Sequence, residues 1–135
     1  MSNKASVHVA VGVLQDSSGR VLLPRRPPNA HQGGLWEFPG GKVEAGETVL
    51  AALERELAEE LGVQVEASQP LMTIAHDYGD KQVLLDIYTV TSWVGEPRGI
   101  EGQPLAWVMP HGLDDYAFPA ANTPIVARLQ KDPSH

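Results

Sequence analysis

The sequence contains no cysteine, so disulfide bonds and thiolate metal sites are excluded. Basic residues are also few, since 10 lysines and arginines stand against 17 aspartates and glutamates, for a formal net charge of −7. This balance argues against a broad electrostatic contact with duplex nucleic acid or with an anionic membrane. It does not exclude a nucleotide ligand, because bound metal ions can offset the negative charge locally.

Long apolar runs are absent as well. No stretch approaches the length of a membrane span, and residues 1–6 lack the features of a signal peptide. We therefore expect no membrane partner and a cytoplasmic location. The 135 residues, 42% of them hydrophobic and 20% charged, suit one globular domain with its own core. We predict a single domain over residues 1–135, in which residues 131–135 form a polar tail.

Alternating and turn-bounded apolar residues predict several strands. Val7, Val9, Val11 and Val13 alternate with smaller or polar residues, which is typical of a strand with one buried face. Similar reasoning predicts strands over residues 20–24, 64–67, 71–77, 82–94 and 105–109, and helices over residues 49–61 and 121–130. Strands that are interrupted by one helix and followed by another indicate an α+β fold with a mixed sheet between helices.

The first helix carries the most informative pattern. Thr48 is suited to its N-cap and Gly62 to the position just after its end. Leucines at 50, 53, 57 and 61 recur at helical spacing, so the sequence predicts that they form the buried stripe.

Three glutamates lie beside that stripe. Glu56, Glu59 and Glu60 are helical neighbours, and like charges at such spacing destabilise a helix by about 0.2–0.5 kcal/mol per pair. Arg55 is the only lysine or arginine between Lys42 and Lys81. A divalent cation would neutralise these carboxylates, and Mg²⁺ or Mn²⁺ suits hard oxygen ligands. The alternative is a helix whose acidic face is merely solvated.

Residues 41–63 read G-x5-E-x7-R-E-U-x-E-E-x-G-U, where U is aliphatic. This spacing resembles the Nudix box, the signature of hydrolases that cut nucleoside diphosphates linked to another group. The resemblance implies a Nudix-type α/β/α sandwich around a central mixed β-sheet. It also implies a requirement for Mg²⁺, with Mn²⁺ as a possible substitute.

Further stretches resemble the MutT branch of that family, whose members hydrolyse oxidised purine nucleoside triphosphates, chiefly 8-oxo-dGTP. The matching stretches are residues 25–26, 31, 36–42, 95–97, 101–104 and 118–124. The resemblance therefore implies an enzyme that takes 8-oxo-dGTP and water to 8-oxo-dGMP and pyrophosphate. Its expected partner is a small nucleotide, without a stable nucleic acid complex, and the chain is expected to be a monomer.

The resemblance assigns catalytic and metal-binding roles residue by residue. Glu56, Glu59 and Glu60 would hold the metal, and the backbone carbonyl of Gly40 would complete a site. Glu101 resembles the distal carboxylate of the family, so both Glu56 and Glu101 are candidate general bases. Arg55 would hold the acidic cluster by ion pairing, or else be an exposed partner of Glu59 one turn away. Glu47 is expected to brace the junction between the loop and the helix.

Substrate contacts are implied in the same way. Arg26 would contact phosphate, and His31 resembles a residue of the substrate loop, although both residue types are often simply solvated on a surface. Lys81 stands where relatives can place an arginine toward the base, and the two side chains differ in planar contacts. The segment Trp36, Glu37, Phe38, Pro39 and Gly40 is expected to line the base site.

Asn122 is the candidate for specificity. Its amide carries a donor and an acceptor, so it can read the edge of a purine, and an 8-oxo purine has a hydrogen on N7 where guanine has a lone pair. The alternative for Asn122 is an N-cap of the last helix. Two other functions stay open for the chain: hydrolysis of a dinucleoside polyphosphate or ADP-ribose, and a non-catalytic nucleotide-binding module.

Overall fold

A computed structural model describes residues 5–27 and 33–131 of the chain. Within these residues the strands are β1 (Ala5–Leu14), β2 (Val21–Pro24), β3 (Gly40–Lys42), β4 (Gln64–Asp77), β5 (Lys81–Val94) and β6 (Leu105–Val108). The helices are α1 (Val49–Leu61) and α2 (Thr123–Lys131), and short 3-10 turns cover Pro110–Asp115 and Ala120–Asn122. No helix among the described residues is long and apolar enough to cross a membrane.

The main sheet is mixed, as expected, and its strands follow the order β3, β1, β5, β4. β1 runs parallel to β5, and its other edge pairs antiparallel with the short β3, where Val11 faces Gly40. β4 pairs antiparallel with β5, while β2 and β6 form a separate antiparallel pair. The α+β prediction is confirmed: a mixed sheet lies between helices.

Two apolar clusters cover the two faces of this sheet. The valines that alternate along β1 pack with β5 and α2, while the opposite side of β1 packs against α1. Each fully buried leucine of α1 contributes about 1.5–3 kcal/mol through burial. The α1 cluster therefore fixes the helix that carries the glutamates rigidly against the sheet.

The bounds and caps of α1 agree with the sequence pattern, but one of the four leucines predicted to be buried is exposed. The Thr48 hydroxyl accepts the Ala51 N–H at 3.0 Å, and Gly62 adopts a left-handed φ of 72°. Leu50 is 42% exposed, whereas Ala52 is fully buried. Leu50 lies in the first turn on the outer side, so the buried face of α1 starts at Ala52 and continues with Leu53, Leu57 and Leu61.

Other boundaries differ from the prediction for local reasons. β3 was missed, because Gly40 and Gly41 have little strand propensity and pair only through contact with β1. β4 is one continuous edge strand rather than two, with irregular pairing near Pro70, which lacks an N–H and is tolerated only at such an edge. α2 begins at Thr123 rather than 121, because a 3-10 turn precedes it.

Candidate active site

Arg55 clamps the loop before α1 to the helix itself. Its Nε donates to Glu47 at 2.7 Å, and its Nη2 donates to the other Glu47 oxygen at 2.9 Å. Nη2 also donates to the Lys42 carbonyl at 3.0 Å, and Nη1 donates to Glu56 at 2.9 Å. A planar guanidinium suits such a forked contact. These are the contacts that the predicted bracing roles of Arg55 and Glu47 require, while the contact of Arg55 with Glu59 is longer, at 3.6 Å.

The clamp changes the acidity of its members. The Arg55 hydrogen bonds, followed by the Glu44 N–H, lower the pKa of Glu47 from 4.5 to about 2. The bonds to Glu47 and then to Glu56 raise the pKa of the Arg55 guanidinium above its usual value. Both groups are therefore charged at neutral pH, and Glu47 stays ionised well below pH 4.5.

This clamp predicts a contribution to stability that depends on pH. Because the pKa of Glu47 is lower in the folded chain, its contribution is complete above pH 4.5 and is lost as the pH falls toward about 2. We expect Glu47→Gln to unfold at a lower urea concentration than the wild type at pH 6, with a gap that closes between pH 4.5 and about 2. Glu54→Gln, which changes an exposed glutamate of the same helix, is the control. A gap for Glu47→Gln that stays constant with pH would contradict the clamp.

The glycine pair of β3 makes room for Glu56. A Cβ at Gly41 would overlap the carboxyl carbon and both carboxyl oxygens of Glu56. At Gly40 the obstacle is the backbone of Ala10 and Val11, and the φ of 151° is one that other residues rarely adopt. The two glycines therefore serve different ends, since Gly40 permits the fold and Gly41 permits the position of Glu56.

Alanine at these neighbouring positions is expected to have different effects. Gly41→Ala displaces a flexible carboxylate, so we expect kcat to fall roughly 10²-fold while stability falls by about 0.5–1.5 kcal/mol. Gly40→Ala strains and overlaps backbone, and we expect a loss of about 2–6 kcal/mol in the free energy of unfolding. Urea denaturation of both variants measures the free energy of unfolding, and steady-state kinetics measure kcat. Equal losses of stability would contradict the separate roles.

Glu56 and Glu60 form a close carboxyl pair. Burial, then the hydrogen bond and the charge of Glu56, raise the pKa of Glu60 to about 9, although the Gly40 N–H opposes this rise. Among residues 5–27 and 33–131, no group of three or more acidic or histidine side chains stands close enough to hold an ion. The pair nevertheless fits a hard divalent cation, because two adjacent carboxyl groups that share a proton can exchange it for a metal ion.

A pocket of about 260 Å³, here called the acidic pocket, is lined by Glu60 of this pair, whereas Glu56 does not belong to its lining. Glu60, Glu101 and Gly40 line it together, as the metal prediction requires, and Gln103 lies at the same wall. Glu59 is instead 61% exposed. The metal roles of Glu56, Glu59, Glu60, Glu101 and Gly40 stay predictions.

A larger pocket of about 550 Å³, here called the sheet pocket, lies on the α2 side of the sheet. Its floor is apolar, formed by Val7, Val9, Val11, Val83 and Leu85. Polar groups enter from the rim, among them Tyr78, Asp80, Lys81 and Asn122. An apolar floor with few polar groups is typical of a site for a flat organic ligand.

The two pockets share a wall. Arg26, Glu37 and Gly40 line both, and Arg26 Nη1 donates to Glu37 at 2.6 Å. A ligand that fills the sheet pocket and extends past this ion pair reaches the acidic pocket. The arrangement suits a molecule with a base at one end and phosphates at the other.

Asn122 is the one buried polar side chain that the described part of the chain contains, at 9% exposure. Its Oδ1 accepts the Phe38 N–H at 3.4 Å, and because this oxygen can accept a second hydrogen bond, the alternative of an N-cap for α2 stays a prediction beside it. The Phe38 ring is buried and stacks on Phe118, with the two ring centres 5.6 Å apart. The amide is thus oriented by backbone and directed to the sheet pocket.

The remaining predicted substrate residues are spread more widely. Trp36 lines neither pocket and packs edge-on against Tyr116. The Arg25 guanidinium lies 5.7 Å from the centre of the Trp36 ring. Pro39 is buried, and its carbonyl accepts the Gly12 N–H of β1 at 2.9 Å. His31 lies outside the described residues. The sequence motifs did not identify Gln103 as a site residue, although Gln103 belongs to the stretch 101–104 that resembles the MutT branch.

The mixed sheet, the clamped glutamate helix and the glycine turn beside it define a small hydrolase of the phosphoanhydride-cleaving class. A model of the NUDIX domain matches residues 10–128, and the chain belongs to that family, whose hydrolases use divalent metal ions.

The chain is also similar to individual proteins and to solved structures. The chain is 37% identical over 125 residues to the 8-oxo-dGTP diphosphatase of Escherichia coli (strain K12), covering 93% of this chain and 97% of that protein. It resembles a solved structure from work on MutT of Aliivibrio salmonicida and Vibrio cholerae, with a TM-score of 0.83, 38% identity, and coverage of 92% and 96%. It is also 33% identical over 116 residues to the CTP pyrophosphohydrolase of Escherichia coli (strain K12), covering 86% of each.

Proposed function

We propose that the chain hydrolyses 8-oxo-dGTP to 8-oxo-dGMP and pyrophosphate with Mg²⁺, or alternatively Mn²⁺, and so removes an oxidised nucleotide before it enters DNA. The observation that carries this proposal is Asn122, a buried amide that lines a pocket with an apolar floor and room for a purine base. The identity of 37% to an 8-oxo-dGTP diphosphatase over nearly the whole chain supports it.

The chemistry of the base explains the role of Asn122. Its Oδ1 has a second lone pair beside the one used by the Phe38 N–H, and its Nδ2 carries two hydrogens. The oxygen can therefore accept the hydrogen on N7 of an 8-oxo purine, while the nitrogen donates to O6. Unmodified dGTP presents a lone pair at N7, so the same oxygen would face another acceptor, which is unfavourable.

The phosphates are placed by the rest of the site. Arg26 lines both pockets and supplies positive charge for the phosphates, and the turn at Gly40 belongs to both linings as well. Lys81 lines the sheet pocket, where we assign it to the base. We assign the metal to Glu56, Glu60 and Glu101, with Glu59 and the Gly40 carbonyl as further ligands. When bound, it supplies positive charge that offsets the charge of the phosphates.

The protein residues then complete the reaction. Water attacks phosphorus, the bond between the nucleotide phosphate and pyrophosphate breaks, and a carboxylate takes the proton of the water. Glu56 and Glu101 are the two candidates for that base. Arg55 keeps Glu56 in place through its hydrogen bond of 2.9 Å. The cytoplasmic location and the monomeric state stay predictions.

A second candidate substrate is CTP, because a CTP pyrophosphohydrolase is 33% identical over 116 residues. Cytosine has no N7, so it offers no hydrogen at that position for the Oδ1 of Asn122 to accept. The hydrogen bond that we assign to the Oδ1 of Asn122 would therefore be lost. The apolar floor and the buried amide therefore favour the oxidised purine.

A competition assay tests this choice. With Mg²⁺ present, 8-oxo-dGTP and CTP are mixed at equal concentration, and the two monophosphates and pyrophosphate are followed by chromatography. We expect 8-oxo-dGMP and pyrophosphate to form first, and EDTA to stop the reaction. Preferential release of CMP would replace the proposed substrate by CTP, and turnover of neither would favour a non-catalytic nucleotide-binding module.

A further inference from the structure

The loop over residues 95–103 is attached to the C-terminal end of α1. Helix ends leave carbonyl groups without partners inside the helix. Here the Leu61 carbonyl accepts the Arg98 N–H at 3.0 Å, and the Glu60 carbonyl accepts the Ile100 N–H at 3.3 Å. The helix that bears the glutamates and the loop that bears Glu101 are therefore joined directly.

Gln103 adds a contact that backbone alone does not provide. Its Nε2 donates to the Glu60 carbonyl at 3.1 Å, and its Oε1 accepts the Glu101 N–H at 2.9 Å. A single amide thus bridges the two residues whose carboxylates line the acidic pocket. The Gln103 backbone also packs directly against Gly99, where a Cβ would overlap the Gln103 carbonyl oxygen.

We propose that Gln103 is a positioning residue that fixes the Glu101 carboxylate at the acidic pocket opposite Glu60. The proposal rests on the proposed function, since it gives Glu101 a part in the reaction. Glutamine is suited to this place because its amide accepts and donates at once, whereas leucine does neither and glutamate only accepts. Gly102 N–H also bonds to Gly99 at 2.9 Å, so the turn itself keeps its shape without Gln103.

Gln103→Leu tests the bridge without reference to activity. By amide hydrogen exchange followed by NMR, we expect the Glu101 N–H to exchange roughly 10-fold faster in the variant, with the exchange of the Gly62 N–H, bonded to Ala58 at 3.0 Å, unchanged. The matched control is Gln130→Leu, since Gln130 donates to the Pro110 carbonyl at 3.1 Å, remote from both pockets. Equal exchange of the Glu101 N–H in wild type and Gln103→Leu overturns the proposal.

Kinetics then test whether the bridge acts through Glu101. We expect Gln103→Leu to raise the Mn²⁺ concentration for half-maximal turnover of 8-oxo-dGTP by about 10–100-fold. In the Glu101→Gln background the same change is expected to have no further effect. If the effects of the two substitutions on the Mn²⁺ concentration for half-maximal turnover are fully additive, the positioning role is overturned. Absence of turnover in the wild type would instead refute the proposed function and leave the exchange result as the measure of the bridge.

Discussion

Replacing Glu56 by glutamine is expected to lower kcat by roughly 10²–10⁴-fold while the protein stays folded. Glu56 lies against Gly41, accepts a hydrogen bond from Arg55 at 2.9 Å and contacts Glu60. A glutamine fills the same space, keeps an acceptor for Arg55 and can donate to Glu60. It removes the negative charge that a metal ligand or a general base needs.

The control for this prediction is Glu54→Gln, the same substitution at an exposed position of the same helix. We expect it to keep the kcat of the wild type. Thermal unfolding of both variants separates loss of function from loss of fold. A Glu56→Gln enzyme with the kcat of the wild type would remove Glu56 from the mechanism and leave Glu101 as the candidate base.

The second large effect is expected at Asn122. Asn122→Ala removes both hydrogen bonds that we assign to the oxidised base, and a bidentate pair of this kind contributes about 1–3 kcal/mol to discrimination. We therefore expect the preference for 8-oxo-dGTP over dGTP, as a ratio of kcat/KM, to fall by roughly 10–100-fold. The rate with dGTP is expected to change much less, because the phosphate contacts lie at the other pocket.

Two variants sharpen this measurement. Asn122→Asp keeps the acceptor and loses the donor, so it separates the contact with N7 from the contact with O6. Thr123→Ala changes the exposed residue next to it, at the start of α2, and is expected to keep the preference. An unchanged ratio in Asn122→Ala would assign specificity to other residues of the sheet pocket, such as Tyr78 or Lys81.

The bracing roles of Arg55 and Glu47 were predicted from the family resemblance, because contacts of Arg55 with a residue eight positions before it and with its direct neighbour do not follow from helical spacing. The bounds of α1 could instead be predicted from local rules, since Thr48 and Gly62 set its ends. The apolar alternation of β1 likewise depends only on neighbours in the sequence. These features need no information about the distant parts of the chain.

Other features depend on contacts that sequence spacing does not reveal. β3 becomes a strand only because β1 lies beside it, and Asn122 is oriented by Phe38, which is 84 positions away. The bridge of Gln103 to Glu60 spans 43 positions and joins two segments that the pattern treats separately. The exposure of Glu59 likewise follows from how α1 lies on the sheet, which periodicity alone could not fix.

The central claim is that the site selects an oxidised purine and cleaves it with a metal ion. The most direct test is steady-state hydrolysis of 8-oxo-dGTP and dGTP in parallel, with Mg²⁺ and with EDTA. We expect a large kcat/KM preference for 8-oxo-dGTP that releases pyrophosphate and disappears in EDTA. Metal-dependent turnover of both nucleotides at equal kcat/KM would contradict the claim and refute selection through Asn122.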